Sequence, residues 1–218
     1  MILPRNRLFS RRPPERDATL ILILCEGGKR EPDYFNYFSN IDSRVNVAII
    51  PADSKANNSP TGLYDLACHL TGYKLESVSP EFQLTGEDEL WFVIDTDQWG
   101  DKIEALYRLS SEASNWFIAQ SNPCFELWLY YHFSFEKPNF KGMAASKNWK
   151  AFLNKIIPGG FDSKKHPLLL RTAISNSEHN ASDNQIPEFL ETHVFKLGKS
   201  IYRLLHKKID SARNKADL

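Results

Sequence analysis

Two separate apolar runs in this 218-residue chain each stop on carboxylates. The first, Ala18-Thr19-Leu20-Ile21-Leu22-Ile23-Leu24-Cys25, ends at Glu26-Gly27-Gly28, and the second, Leu90-Trp91-Phe92-Val93-Ile94, ends at Asp95-Thr96-Asp97. Unbroken runs of this length have no polar face, so they suit strands covered on both sides of a parallel sheet. Ligands of open α/β sheets bind beyond the carboxyl ends of such strands. Acidic groups gathered there repel one another unless a positive charge lies between them. A divalent cation, Mg²⁺ or Mn²⁺, is the expected answer.

The remaining pattern alternates strand with helix. Residues 29–40 read as a helix with Tyr34, Phe35 and Phe38 on one face, and Val45 to Ile50 as a strand closed by Pro51. A polar loop over 53–59 leads to a helix over 60–75, and a further helix over 101–113 follows the second apolar run. Trp116 to Ala119 makes a short strand, after which Asn122 can cap and Pro123 can open a helix. This rhythm predicts an α/β fold with right-handed crossovers and a layered, mostly parallel sheet of about four strands. Beyond residue 135 the pattern turns helical throughout. Leu190, Val194, Leu197, Ile201 and Leu204 form one apolar stripe, expected to pack back onto the sheet. The predicted organisation is a flexible basic leader over 1–16, an α/β domain over 17–135, and a helical extension over 136–218 on the same domain.

Lys and Arg number 27 and so do Asp and Glu, so no global charge draws the chain to nucleic acid. The charge is uneven, however. Arg5, Arg7, Arg11, Arg12 and Arg16 crowd the start, and Lys196, Lys199, Arg203, Lys207, Lys208, Arg213 and Lys215 crowd the end. Basic ends around an acidic centre suit a phosphate backbone at the rim of a metal site; each alone also reads as a tail or a solvated helix face. No apolar stretch approaches the ~18 residues of a membrane span, and the first residues lack a secretory signal's apolar segment. Cys25, Cys68 and Cys124 offer neither a disulfide framework nor zinc spacing, so a cytoplasmic setting is expected.

The carboxylates carry the chemistry. Asp95 and Asp97 stand two apart at a strand end, so their side chains can point the same way, although Asp97-Gln98-Trp99-Gly100 is also turn-like. Asp95 directly follows five apolar residues, where a charge is partly desolvated and needs compensation. Glu26 holds the equivalent place after the first run, and Gly27-Gly28 permits a tight turn and close approach to phosphate or metal. A glutamate there also suits a helix dipole, and Glu31 reads either as a dipole partner or as a supporting carboxylate. Lys29 and Arg30 can contact phosphate or stand solvated. Glu126 is the sharpest clue, being the only formally charged side chain between Asn115 and Ser134. A carboxylate in so apolar a segment must find a partner or protonate. Counted from an Asn122 cap, it falls one place past the position a capping box uses. His132 and His193 read as core histidines before they read as bases.

The segments Cys25-Glu26-Gly27-Gly28-Lys29-Arg30-Glu31-Pro32-Asp33-Tyr34-Phe35, Ile94-Asp95-Thr96-Asp97 and Ser121-Asn122-Pro123-Cys124-Phe125-Glu126-Leu127-Trp128, with His132-Phe133, resemble the RloB family of bacterial defence-island proteins. The resemblance covers about residues 18–135, with echoes at Leu170-Arg171-Thr172-Ala173 and Thr192-His193-Val194. It implies a Toprim-like fold, in which Glu26, Asp95 and Asp97 match the acidic metal-binding set and Glu126 belongs to the family's own motif. It also implies a metal-dependent nuclease acting in phage defence beside an AAA or ABC-type ATPase. Members of the family tend to carry Thr where this chain has Arg30, which either holds substrate phosphate or displaces a needed hydroxyl.

The first functional expectation is therefore an endonuclease for DNA or RNA, with Mg²⁺ or Mn²⁺ on Glu26, Asp95 and Asp97. Glu31 and Glu126 would be supporting ligands or supply the general base, and Lys29 and Arg30 would contact substrate. The alternative is a non-catalytic regulatory or nucleic-acid-binding subunit of an ATPase complex, with homo-oligomerisation open. A dinucleotide site is disfavoured, because Glu26-Gly27-Gly28 lacks the three-glycine fingerprint.

Overall fold

The computed structural model describes residues 18–52, 59–96, 99–142, 144 and 146–216. The leader expected over 1–16 and the aspartate Asp97 lie outside them. In chain order the elements are β1 (Thr19–Cys25), α1 (Arg30–Phe35), β2 (Val45–Pro51), α2 (Pro60–Thr71), β3 (Glu89–Asp95), α3 (Asp101–Ser110), β4 (Trp116–Asn122), α4 (Glu126–Tyr130), α5 (Ser146–Ile156), α6 (Leu170–His179), β5 (Glu191–Thr192) and α7 (Val194–Lys215). They form a mixed α/β fold around a sheet of order β2-β1-β3-β4-β5. Its first four strands are parallel and β5 is antiparallel to β4.

The apolar runs are apolar on both faces because both faces are covered. Leu20, Leu22 and Leu24 join Leu90, Phe92 and Ile94 against Leu63 and Ala67 of α2 and Ile103 and Leu106 of α3. Their alternates Ile21, Ile23 and Cys25 join Trp91 and Val93 against α1 and the helices from α4 to α7. From Leu20 to Cys25 no residue is more than 1% exposed. This is the two-sided burial that continuous apolar strands require.

Connectivity then locates the site. The chain leaves β1 through α1 to β2 on one side, and returns through α2, on the opposite face, to β3 on β1's other side. Right-handed crossovers make a reversal of direction a change of face. The order therefore reverses between β1 and β3, and the carboxyl ends of these strands flank the crevice where such sheets bind ligands.

Four differences from the sequence reading have physical causes. The helix expected over 29–40 is a short α1 followed by a 3₁₀ turn over Asn36–Phe38. Asn122 does not cap a helix. Strand β4 runs on to Asn122 because β5 pairs with its last two residues, and α4 starts only at Glu126. That same β5 interrupts the C-terminal region expected to be helical throughout. The apolar stripe of α7 begins at Val194, since Leu190 precedes the helix, and extends to Leu205 and Ile209, with Leu190 and Leu204 half-buried against the same core. Helix α7 lies close on its neighbours: a Cβ at Gly198 would stand 3.1 Å from Ile174 and 3.3 Å from Trp128. Among the described residues no helix is long and apolar enough to cross a membrane.

One buried carboxylate holds the opposite end of the sheet. Asp88 is 2% exposed and accepts the Leu20 N–H at 2.7 Å, the Thr85 N–H at 2.7 Å and the Thr85 hydroxyl at 2.9 Å. Removing it leaves the buried Leu20 N–H unpaired and frees the exposed Thr85 from the sheet. Asp88→Ala should destabilise the fold by about 3 kcal/mol, a fall in Tm of roughly 6–12 °C, measured by thermal unfolding. An unchanged Tm would show that these bonds do not anchor β1.

Candidate functional site

The carboxyl ends of β1 and β3 are tied to each other. The Glu26 N–H donates to Val93 O at 3.0 Å, and Glu26 Oε2 in turn accepts the Asp95 N–H at 3.0 Å. Its other oxygen, Oε1, accepts the indole N–H of Trp99 at 2.6 Å. Glu26 thus holds the backbone of the residue that ends β3. Trp99 was not singled out from sequence, and only the three-dimensional contact reveals it.

Four of the residues expected to form a site line one cavity of about 400 Å³: Arg30, Glu31, Asp95 and Glu126. Cys124, Lys147 and Lys150 complete its lining. Glu31 comes from α1, Asp95 from the end of β3, Glu126 from the first residue of α4, and the two lysines from α5. Lys29 lines the adjoining cavity of about 280 Å³, which shares Arg30 and Lys150 with the first. Glu26 stands behind Asp95 and does not line either cavity. Asp97 lies outside the described residues.

The carboxylates differ in their surroundings. Glu31 is 8% exposed, and burial raises its pKa, with the charge of Glu126 adding to the rise and Arg30 opposing it. Gly27 makes room for it, since a Cβ there would overlap the Glu31 carboxylate. The glycine pair of the sequence therefore serves a side chain as well as a turn. Glu126 meets the demand for a partner that its apolar setting makes: Arg30 Nε lies 3.1 Å from its Oε1. Burial, then the charges of Glu126 and Asp95, raise the pKa of Cys124 and keep its thiol protonated, which excludes it as a thiolate nucleophile. Among the described residues, no three His, Cys, Asp or Glu side chains form a group able to hold a metal ion.

His132 and His193, the two histidines the sequence brings forward, are both buried. His132 Nδ1 lies 3.0 Å from Trp128 O, which can only accept, so Nε2 accepts the Tyr34 hydroxyl at 3.0 Å. Burial lowers its pKa to about 3 and keeps it neutral. His193 is fully buried, with its pKa lowered to about 4.

Lys147 and Lys150 were missed by the sequence reading. Their one visible signal is the three-residue spacing that puts them on one helix face, and a solvated face shows the same spacing.

A model of the RloB-like protein family matches residues 21–202, so the chain belongs to that family. No curated protein and no solved structure matches it.

Glu31 generates a prediction about stability. Its pKa is raised in the folded state, so folding is favoured most while it is protonated, and that contribution is lost as pH rises through the raised value. Glu31→Gln should melt higher than wild type at pH 8. The difference should vanish on acidification below the ordinary carboxylate range. A pH series of thermal melts checks this, and a variant less stable at pH 8 would contradict it.

Proposed function

We propose that this member of the RloB-like family hydrolyses phosphodiester bonds in nucleic acid with Mg²⁺ or Mn²⁺, through a site of Toprim type. The observation that supports it best is the convergence of Glu31, Asp95 and Glu126, from three different elements, on one cavity that Arg30, Lys147 and Lys150 also line. The donor set fits a hard cation, because every candidate ligand is a carboxylate oxygen. Asp95, with Asp97, would hold the ion, whereas Glu26, whose carboxylate accepts the Asp95 N–H and the Trp99 indole N–H, supports the strand end and is not placed as a ligand. When bound, such an ion polarises a phosphoryl oxygen and makes bound water more acidic.

The chain's own groups would do the rest. Arg30 and Lys29 draw the phosphate towards Asp95, and the ion pair with Glu126 sets the direction of the Arg30 guanidinium. Glu31, whose pKa burial raises, would take the proton of the attacking water, since a raised pKa makes a carboxylate a stronger base. Glu26 keeps the Asp95 backbone in place. In the cell we place the protein in the cytoplasm, in antiviral defence beside an AAA or ABC-type ATPase that restrains the nuclease until triggered.

One observation favours a second reading, a non-catalytic nucleic-acid-binding or regulatory subunit of such an ATPase complex. Arg30 closes on Glu126 and neutralises a carboxylate of the cavity.

Cleavage of plasmid, single-stranded DNA and RNA, in Mg²⁺, Mn²⁺ and chelator, tests the first reading. Asp95→Ala should lose at least about 100-fold of a metal-dependent activity, the scale on which a single catalytic group acts. Cleavage undiminished in Asp95→Ala removes this reading. Stabilisation of the wild type by Mg²⁺ without turnover, alone and with the ATPase, would establish the second.

A further inference from the structure

The acidic cavity is one end of a longer trough. It shares Arg30 and Lys150 with the adjoining cavity, which in turn shares Asp33, Phe161 and Ser163 with a third of about 660 Å³. The trough follows α1 and the 3₁₀ turn after it, about 10 Å of helical rise from Arg30 to Tyr37. Its two ends differ in chemistry. Arg30, Lys147 and Lys150 stand at the acidic end, and among the described residues neither lysine forms an ion pair or a side-chain hydrogen bond. Tyr37 and Phe161, both half-buried, line the far end beside Asn36, Ser163, the carboxylates Asp33 and Asp162, and Lys164.

We infer that this trough binds a single-stranded polynucleotide, its phosphates on Arg30, Lys147 and Lys150 and an unstacked base against Tyr37 and Phe161. The inference builds on the hydrolytic reading of the same cleft, which gives phosphate a reason to reach Asp95. The helical extension then supplies the phosphate-holding wall through α5, a role beyond packing.

The charge order argues for this occupant. Arg30, Lys147 and Lys150 gather at the first end, balancing its three carboxylates, whereas the far end sets one lysine, Lys164, against two carboxylates and offers the half-buried rings of Tyr37 and Phe161. A duplex keeps its bases stacked inside and offers aromatic side chains no base face. A single strand can splay a base onto them.

Fluorescence anisotropy of the full chain with short labelled single-stranded DNA, single-stranded RNA and the matching duplex, in chelator and across a salt series, tests the inference. At least one single strand should bind about tenfold or more tightly than the duplex. Lys150→Glu, at an exposed position, should weaken it about tenfold and flatten its salt dependence by about one unit of slope. Tyr37→Ala should weaken it about fivefold to a hundredfold, and Asp95→Ala should bind at least as tightly as wild type. Equal or tighter duplex binding, wild-type affinity in both Lys150→Glu and Tyr37→Ala, or no binding of any strand would overturn the inference. Binding as described without cleavage in Mg²⁺ would uphold it and remove the hydrolytic reading alone.

Discussion

The Glu26 carboxylate accepts the Asp95 N–H across the boundary between β1 and β3. The site depends on this bond, because it closes the two strand ends at the place where the order of the sheet reverses. Helix α1 leaves the first of these ends, and its Glu31 and Arg30 reach the cavity beside Asp95. Helix α4, after β4, brings Glu126 in from the far side, where Arg30 meets it. The carboxylates are distant in sequence and neighbours only because two-sided burial fixes β1 beside β3.

The sheet and the acidic end of the site were legible in the sequence for the same reason. A strand with no polar face must be covered twice, and the residue that ends such a strand faces the crevice. Leu20 to Cys25 and Leu90 to Ile94 carry that signal, and of the two residues that follow them Asp95 lines the cavity while Glu26 holds the Asp95 backbone. Glu126 stood out because an apolar segment cannot leave a charge unpaired, and its partner proved to be Arg30. What was not legible depends on contacts distant in sequence. Asn122 looks like a cap until β5 pairs with it, and a two-residue strand has no pattern of its own. Gly27 looks like a turn residue, whereas the Glu31 carboxylate packed over it is what a Cβ would strike. Lys147 and Lys150 are indistinguishable from solvated lysines until α5 is placed against the cavity.

Charge gives the cleft its direction. Glu31 is buried and raised in pKa, Glu126 is paired, and Lys147 and Lys150 remain unpaired among the described residues. Membership of the RloB-like family fixes the lineage; the reaction is inferred from these charges.

The proposal that Asp95 helps to hold a divalent cation is tested most directly by the anomalous scattering of Mn²⁺ in crystals of the chain. A peak within coordinating distance of the Asp95 carboxylate, in the cavity that Glu31 and Glu126 also line, is the predicted result. Crystals grown in saturating Mn²⁺ that show ions only elsewhere, with none at Asp95, would contradict it.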